Sequence, residues 1–124
     1  MLSNDLQALE YPVAAELCKD RPAINNRMHA LGCLYVMEGS SLGGLVIKQI
    51  INKNCHDIPA EAFSFFSGYG DNTINYWKTF VAEMNQSIKS ERDLNDAIEG
   101  ARATFSKMES WIASFYSRNH AALF

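Results

Sequence analysis

The sequence predicts an all-α single domain, residues 1–124, of about four to five helices, and three observations predict it. Apolar residues recur at three- and four-residue steps through each long segment, the rhythm that lines one face of an α-helix. The three prolines, at positions 12, 22 and 59, fall between those segments or in a first turn. Residues fit to cap a helix stand just ahead of them: Asp20, then Asp71 or Asn72, then Ser90. With 124 residues and 48% hydrophobic content, the chain is long enough to bury one core.

The first segment, from Leu2 to about Cys18, carries Leu6, Leu9, Val13 and Leu17 at helical steps, but Pro12 interrupts it. It reads as one short helix followed by loop. Asp20-Arg21-Pro22 then looks like a helix start. From about Ala23 to Asn52 there is no proline, and Met28, Leu31, Tyr35, Leu42, Val46 and Ile50 supply an apolar face. This predicts one long helix, loosened or kinked at Gly39-Ser40-Ser41-Leu42-Gly43-Gly44, where each glycine costs about 1 kcal/mol relative to Ala.

Residues 60–71 hold Phe63, Phe65 and Phe66 ahead of Gly68-Tyr69-Gly70, which predicts a short helical turn and a tight loop, with a strand left open. A helix follows to about Ser87, with Ile74, Trp77, Phe80, Val81 and Met84 on one side. Ser90, with Asp93 three residues on, resembles a capping box. It opens a last helix to about Arg118, in which Leu94, Ile98, Ala101, Phe105, Met108, Ile112 and Phe115 keep an unbroken three-and-four rhythm. The tail after Asn119 is expected to fray.

Composition excludes several classes of function. A net charge of −3 with 11 scattered Lys and Arg gives no basic cluster for nucleic acid or an anionic membrane. Residues 1–10 have neither the basic start nor the apolar centre of a signal or transit peptide, and no apolar run approaches the roughly 18 residues that cross a bilayer. Cys18, Cys33 and Cys55 form no C-x-x-C pair and read as free thiols, which places the protein in the cytoplasm. His29, His56 and His120 are too dispersed for a zinc site, so no metal site is expected.

At about 100° per residue, Gly32, Gly39 and Gly43 fall within about 40° of one another on the long helix. A glycine face inside a helix marks a close approach to the backbone. Two partners fit: another helix crossing there, or a flat ligand lying across the face, with Ser40 and Ser41 offering hydroxyls.

The string Leu31-Gly32-Cys33-Leu34-Tyr35-Val36-Met37-Glu38-Gly39-Ser40-Ser41-Leu42-Gly43-Gly44-Leu45-Val46-Ile47 resembles the distal-helix motif of bacterial, biliverdin-forming heme oxygenases of the phytochrome-associated type. Phe65-Phe66-Ser67-Gly68-Tyr69-Gly70 with Trp77 and Phe80 is similar to that family's aromatic-glycine connector, and Ala101-Arg102-Ala103-Thr104-Phe105 to its last helix. The resemblance runs from about Leu6 to Trp111.

It implies a heme oxygenase-like helical bundle and the oxidative ring opening of heme to biliverdin, iron and CO, with heme as both cofactor and substrate and an electron donor as partner. Gly39, Ser40, Ser41, Gly43 and Gly44 would take the catalytic positions, although many members carry an acid where Ser40 stands. Gly32, Tyr35, Val36 and Arg102 would contact heme; by their charge Arg27, Lys48, Lys78 and Arg102 are candidate partners for its propionates, the alternative being a solvated helical surface.

The family's proximal histidine lies on a first helix further upstream of the glycine motif than this sequence extends. The resemblance therefore implies a bundle without its proximal-histidine segment and an impaired activity for this chain alone. The alternatives are a non-catalytic heme- or tetrapyrrole-binding module and a structural remnant of the fold. His29 is a weak candidate ligand, expected to be partly buried or at the surface. An uncovered apolar surface leads to the expectation of a homodimer.

Overall fold

The computed structural model describes residues 1–13 and 17–120, apart from the side chains of Asn119 and His120. The expectations for residues 14–16, for the tail after Asn119 and for the His120 side chain therefore lie outside the described residues. Among those described, the α-helices are α1 (Leu2–Ala8), α2 (Arg27–Asn54), α3 (Thr73–Ser87) and α4 (Glu91–His120), with 3-10 turns at Ala60–Phe63 and Gly70–Asn72 and no strand. The all-helical class is what the sequence predicts. The chain forms two compact units, the first made of Met1–Glu16 and Met37–Glu83, the second of Leu17–Val36 and Met84–Phe124.

In the first unit α1 ends in a Schellman-type cap: Tyr11 N–H donates to the Leu6 carbonyl at 2.8 Å and Glu10 N–H to that of Gln7 at 3.0 Å, with Glu10 at φ 53°. On α1, Asp5 is buried, and its carboxylate accepts the amides of Ser64 at 3.0 Å and Phe65 at 2.7 Å. Those amides follow the 3-10 turn whose Phe63 and Ala62 are the unit's buried apolar residues.

Burial acts to raise the Asp5 pKa, but the hydrogen bonds from Ser64 and Phe65 outweigh it and hold the group below its ordinary value. A depressed folded pKa adds stability above the unfolded carboxylate value of about 3.9, and that stability drains away as pH falls through the folded value. Asp5→Asn should therefore lower the urea midpoint at neutral pH and remove part of its dependence on pH in the acid range. An acid limb unchanged from wild type would refute the role given to this carboxylate.

In the second unit α2 begins later than the sequence suggests. Asn26, not Asp20, caps it, with Asn26 Oδ1 accepting the His29 amide at 2.9 Å. Asp20 is drawn away by Lys107, whose Nζ lies 2.7 Å from its carboxylate. The capping residue expected for α4 is in place: Ser90 Oγ accepts the Asp93 amide at 3.1 Å, and the Asp93 carboxylate accepts the Lys89 amide at 3.0 Å. Those bonds, the Lys89 one foremost, hold the Asp93 carboxyl below its ordinary pKa.

Helix α2 crosses α4 very closely in this unit. A Cβ on Gly32 would overlap the Ala97 carbonyl oxygen and meet the Ala101 nitrogen, and one on Gly100 would overlap the His29 carbonyl. Cys33, Val36 and Ala97 are buried around this crossing, and Cys33 Sγ reaches the Gly100 carbonyl at 3.5 Å. Cys18, Cys33 and Cys55 are all free.

Two expectations change. By length and composition α2 is apolar enough to cross a bilayer, contrary to the expectation that no segment is, because Gly, Ser and Ala dilute its hydropathy little and charged residues are sparse. The apolar rhythm of α4 makes a helix but not a covered face: α4 packs through Ala97, Gly100 and Thr104, while Phe105, Met108 and Ile112 are exposed.

Candidate functional site

In the first unit, residues 37–54 of α2 stand against the connector and the start of α3. Each glycine there has a different environment. A Cβ on Gly39 would lie 3.4 Å from the Trp77 ring, in ordinary contact. One on Gly44 would come 3.1 Å from the Phe66 carbonyl oxygen and 3.3 Å from its Cα, so Gly44 lets two backbones touch. A Cβ on Gly43 would meet nothing within 4 Å among the described residues.

The surface around Gly43 is apolar and open. Val46 and Ile50, one and two turns along, are each 55% exposed, and Met37 and Ile47 are exposed as well. On a helix, Gly43, Val46, Ile47 and Ile50 share one side.

Neither serine presents its hydrogen to this surface. Ser40 Oγ donates to the Met37 carbonyl and Ser41 Oγ to that of Glu38, each at 2.6 Å. Lone pairs on both oxygens remain available to a ligand or a water.

The connector is latched onto this stretch of α2. Gly68 and Gly70 take φ of 54° and 61°, a left-handed geometry that glycine adopts without strain. The turn places Tyr69 so that its hydroxyl donates to the Glu38 carboxylate at 3.1 Å, while Tyr69 N–H donates to Thr73 Oγ1 at 3.0 Å. The hydrogen bond to Glu38, then that group's charge, burial and Tyr76, push the Tyr69 phenol above its ordinary pKa. Lys48 Nζ donates to Ser67 Oγ at 2.8 Å. Nothing in the sequence marks the Tyr69–Glu38 pair in advance, since the residues are far apart in the chain and each is common on a helical surface.

Of the other site residues suggested by the sequence, Lys78 belongs to the first unit and Arg27, Gly32, Tyr35, Val36 and Arg102 to the second. Tyr35 lines a groove of about 330 Å³ with Gly32, Leu94, Ile98 and Ala101, and Val36 is buried. Arg27, Lys78 and Arg102 are exposed. Gly32 is filled by the helix crossing described above.

His29 is buried, which corrects the expectation of a partly buried or surface residue, because α4 closes over it. Its Nδ1 accepts the Asn25 amide at 3.4 Å and its Nε2 lies 3.2 Å from the Glu99 carboxylate. His29, Asp96 and Glu99 offer ligand atoms within 4.8 Å of one another. With Nδ1 accepting, Nε2 carries a hydrogen and donates it to Glu99, so the geometry is that of a hydrogen-bonded helix contact. His56 is exposed in the loop after α2.

Comparison with known proteins follows the same lines. A family model described as Heme oxygenase matches residues 3–114. A heme oxygenase of Xanthomonas campestris pv. campestris (strain 8004) is 34% identical over 113 residues, covering 91% of this chain and 66% of that relative. The chain thus spans just under two thirds of the length of the curated relative it matches. No solved structure matches the chain.

Proposed function

The chain belongs to the heme oxygenase family, and from that premise we propose that the open face around Gly43 is the surface that lies against heme. The observation that carries the reading is the contrast among the glycines. Gly32 and Gly44 are each accounted for by a backbone neighbour and Gly39 has the Trp77 ring at contact distance, while Gly43 faces open space among the described residues, between exposed apolar side chains. A glycine inside a helix costs about 1 kcal/mol relative to Ala, and at Gly43 no neighbour among the described residues requires it. A flat apolar ligand brought against the backbone does.

The residues present fit one face of heme. Gly43 gives the close approach, Val46, Ile47 and Ile50 give apolar contact, and the oxygens of Ser40 and Ser41 can accept from a water at the edge. When bound, heme supplies the redox chemistry and is itself the substrate of ring opening to biliverdin, iron and CO, with electrons from a donor protein and O2 as oxidant. The Glu38-to-Gly44 string supports the phytochrome-associated type, and the free thiols of Cys18, Cys33 and Cys55 support a cytoplasmic setting.

Heme held at this face would also need an imidazole to ligate its iron. Both nitrogens of His29 are engaged and His56 is exposed in a loop, so no described side chain is poised to supply that imidazole, which supports heme binding with impaired turnover by these residues alone.

Hemin added to the purified protein should shift the Soret band. With reductant and oxygen, turnover should stay low and rise when free imidazole is supplied as a surrogate ligand. A free-hemin spectrum with and without imidazole would overturn the reading. Efficient biliverdin formation without imidazole would overturn the impairment alone.

A further inference from the structure

We propose that α4 is the dimerisation helix of this protein, packing antiparallel against α4 of a second copy across a two-fold axis between Phe105 and Met108. The inference goes beyond the heme reading and does not depend on it. Its first support is period. Leu94, Ile98, Ala101, Phe105, Met108, Ile112 and Phe115 alternate steps of four and three without a break, the 3.5-residue seam that selects another helix as its partner. Yet Phe105 is 60%, Met108 47% and Ile112 56% exposed, along a groove of about 480 Å³ that no described residue outside α4 lines.

The second support is size. In the antiparallel register Phe105 faces Met108 of the partner subunit, Ala101 faces Ile112 of the partner subunit and Ile98 faces Phe115 of the partner subunit. Large partner side chains thereby arrive where Ala101, Gly32 and Ala97 leave the groove of about 330 Å³. A parallel pair would set Ala101 against its own copy and leave a void there.

Charge is the third support. In the same register Arg102, flanking the seam, lies beside Glu109 of the partner subunit, and the two-fold makes that contact twice. Both residues are exposed, and neither has an ion-pair partner among the described residues. A parallel pair would bring Arg102 and Glu109 against Ala97 and Thr104 of the partner subunit, which carry no charge.

Sedimentation velocity at micromolar concentration, without hemin, tests the proposal. Wild type should run as a dimer. Glu109→Arg should weaken the dimer about tenfold or more by replacing two attractions with two repulsions, and the charge swap Arg102→Glu with Glu109→Arg should restore it. Phe105→Glu should give a monomer with unchanged helical circular dichroism. A monomeric wild type overturns the proposal, as does a dimer indifferent to Glu109→Arg or one that the double swap fails to rescue. Soret titration of the same variants keeps any failure of heme binding separate.

Discussion

Gly32→Ala should destabilise the protein by about 3 kcal/mol, a fall of roughly 10 °C in the thermal midpoint for a chain of this length. The added methyl group would overlap the Ala97 carbonyl oxygen, a backbone atom of α4 that cannot rotate away as a side chain can. The two helices must then separate, and the separation loosens Cys33 and Val36, which are buried at the same crossing. Alanine's better helix propensity returns only about 1 kcal/mol. Gly100→Ala should act in the same direction, because its methyl group would run into the His29 carbonyl. Since both glycines serve one crossing, the double variant should lose less than the sum of the singles. Urea and thermal unfolding of the three variants check this, and a Gly32→Ala protein as stable as wild type would show that the crossing is wider than described.

The glycine face thus divides between the two uses that its spacing leaves open. Helical period places Gly32, Gly39 and Gly43 on one side of α2, but period cannot tell which neighbour approaches each of them. That depends on residues remote in sequence: Ala97 and Ala101 at Gly32, Trp77 at Gly39, the Phe66 backbone at Gly44. Gly100 carries no sequence signal of its role, since the His29 carbonyl that approaches it belongs to a distant helix.

Local signals fared better than remote ones. Ser90 and Asp93 cap α4 because both partners lie within one turn. Asp20 looks like an equally good cap until Lys107 claims its carboxylate. The buried carboxylate of Asp5 and the latch between Tyr69 and Glu38 had no sequence signal, as each joins segments tens of residues apart. For α4 the rhythm identified the helix, and only the structure shows that the rhythmic face is not the one packed against α2.

The sharpest separation between fold and function is expected at Gly43. Replacement by phenylalanine should raise the hemin dissociation constant at least about 100-fold while leaving the apo-protein as stable as wild type or slightly more so. A side chain can leave the helix there, because no described residue lies within 4 Å of the position a Cβ would take and the neighbouring Val46 and Ile50 are exposed. Any helix former there also relieves the cost of a glycine in mid-helix. Against heme the same ring would hold the macrocycle off the backbone by about the thickness of an aromatic ring, and a gap of even 0.5–1 Å forfeits a quarter to a half of each contact's attraction. Gly43→Ala should fall between, stabilising the apo-protein by about 1 kcal/mol and weakening hemin binding by less. Opposite signs for stability and binding are the diagnostic, because a variant that merely unfolds loses both together. A Gly43→Phe protein that binds hemin like wild type would remove this face from the heme site.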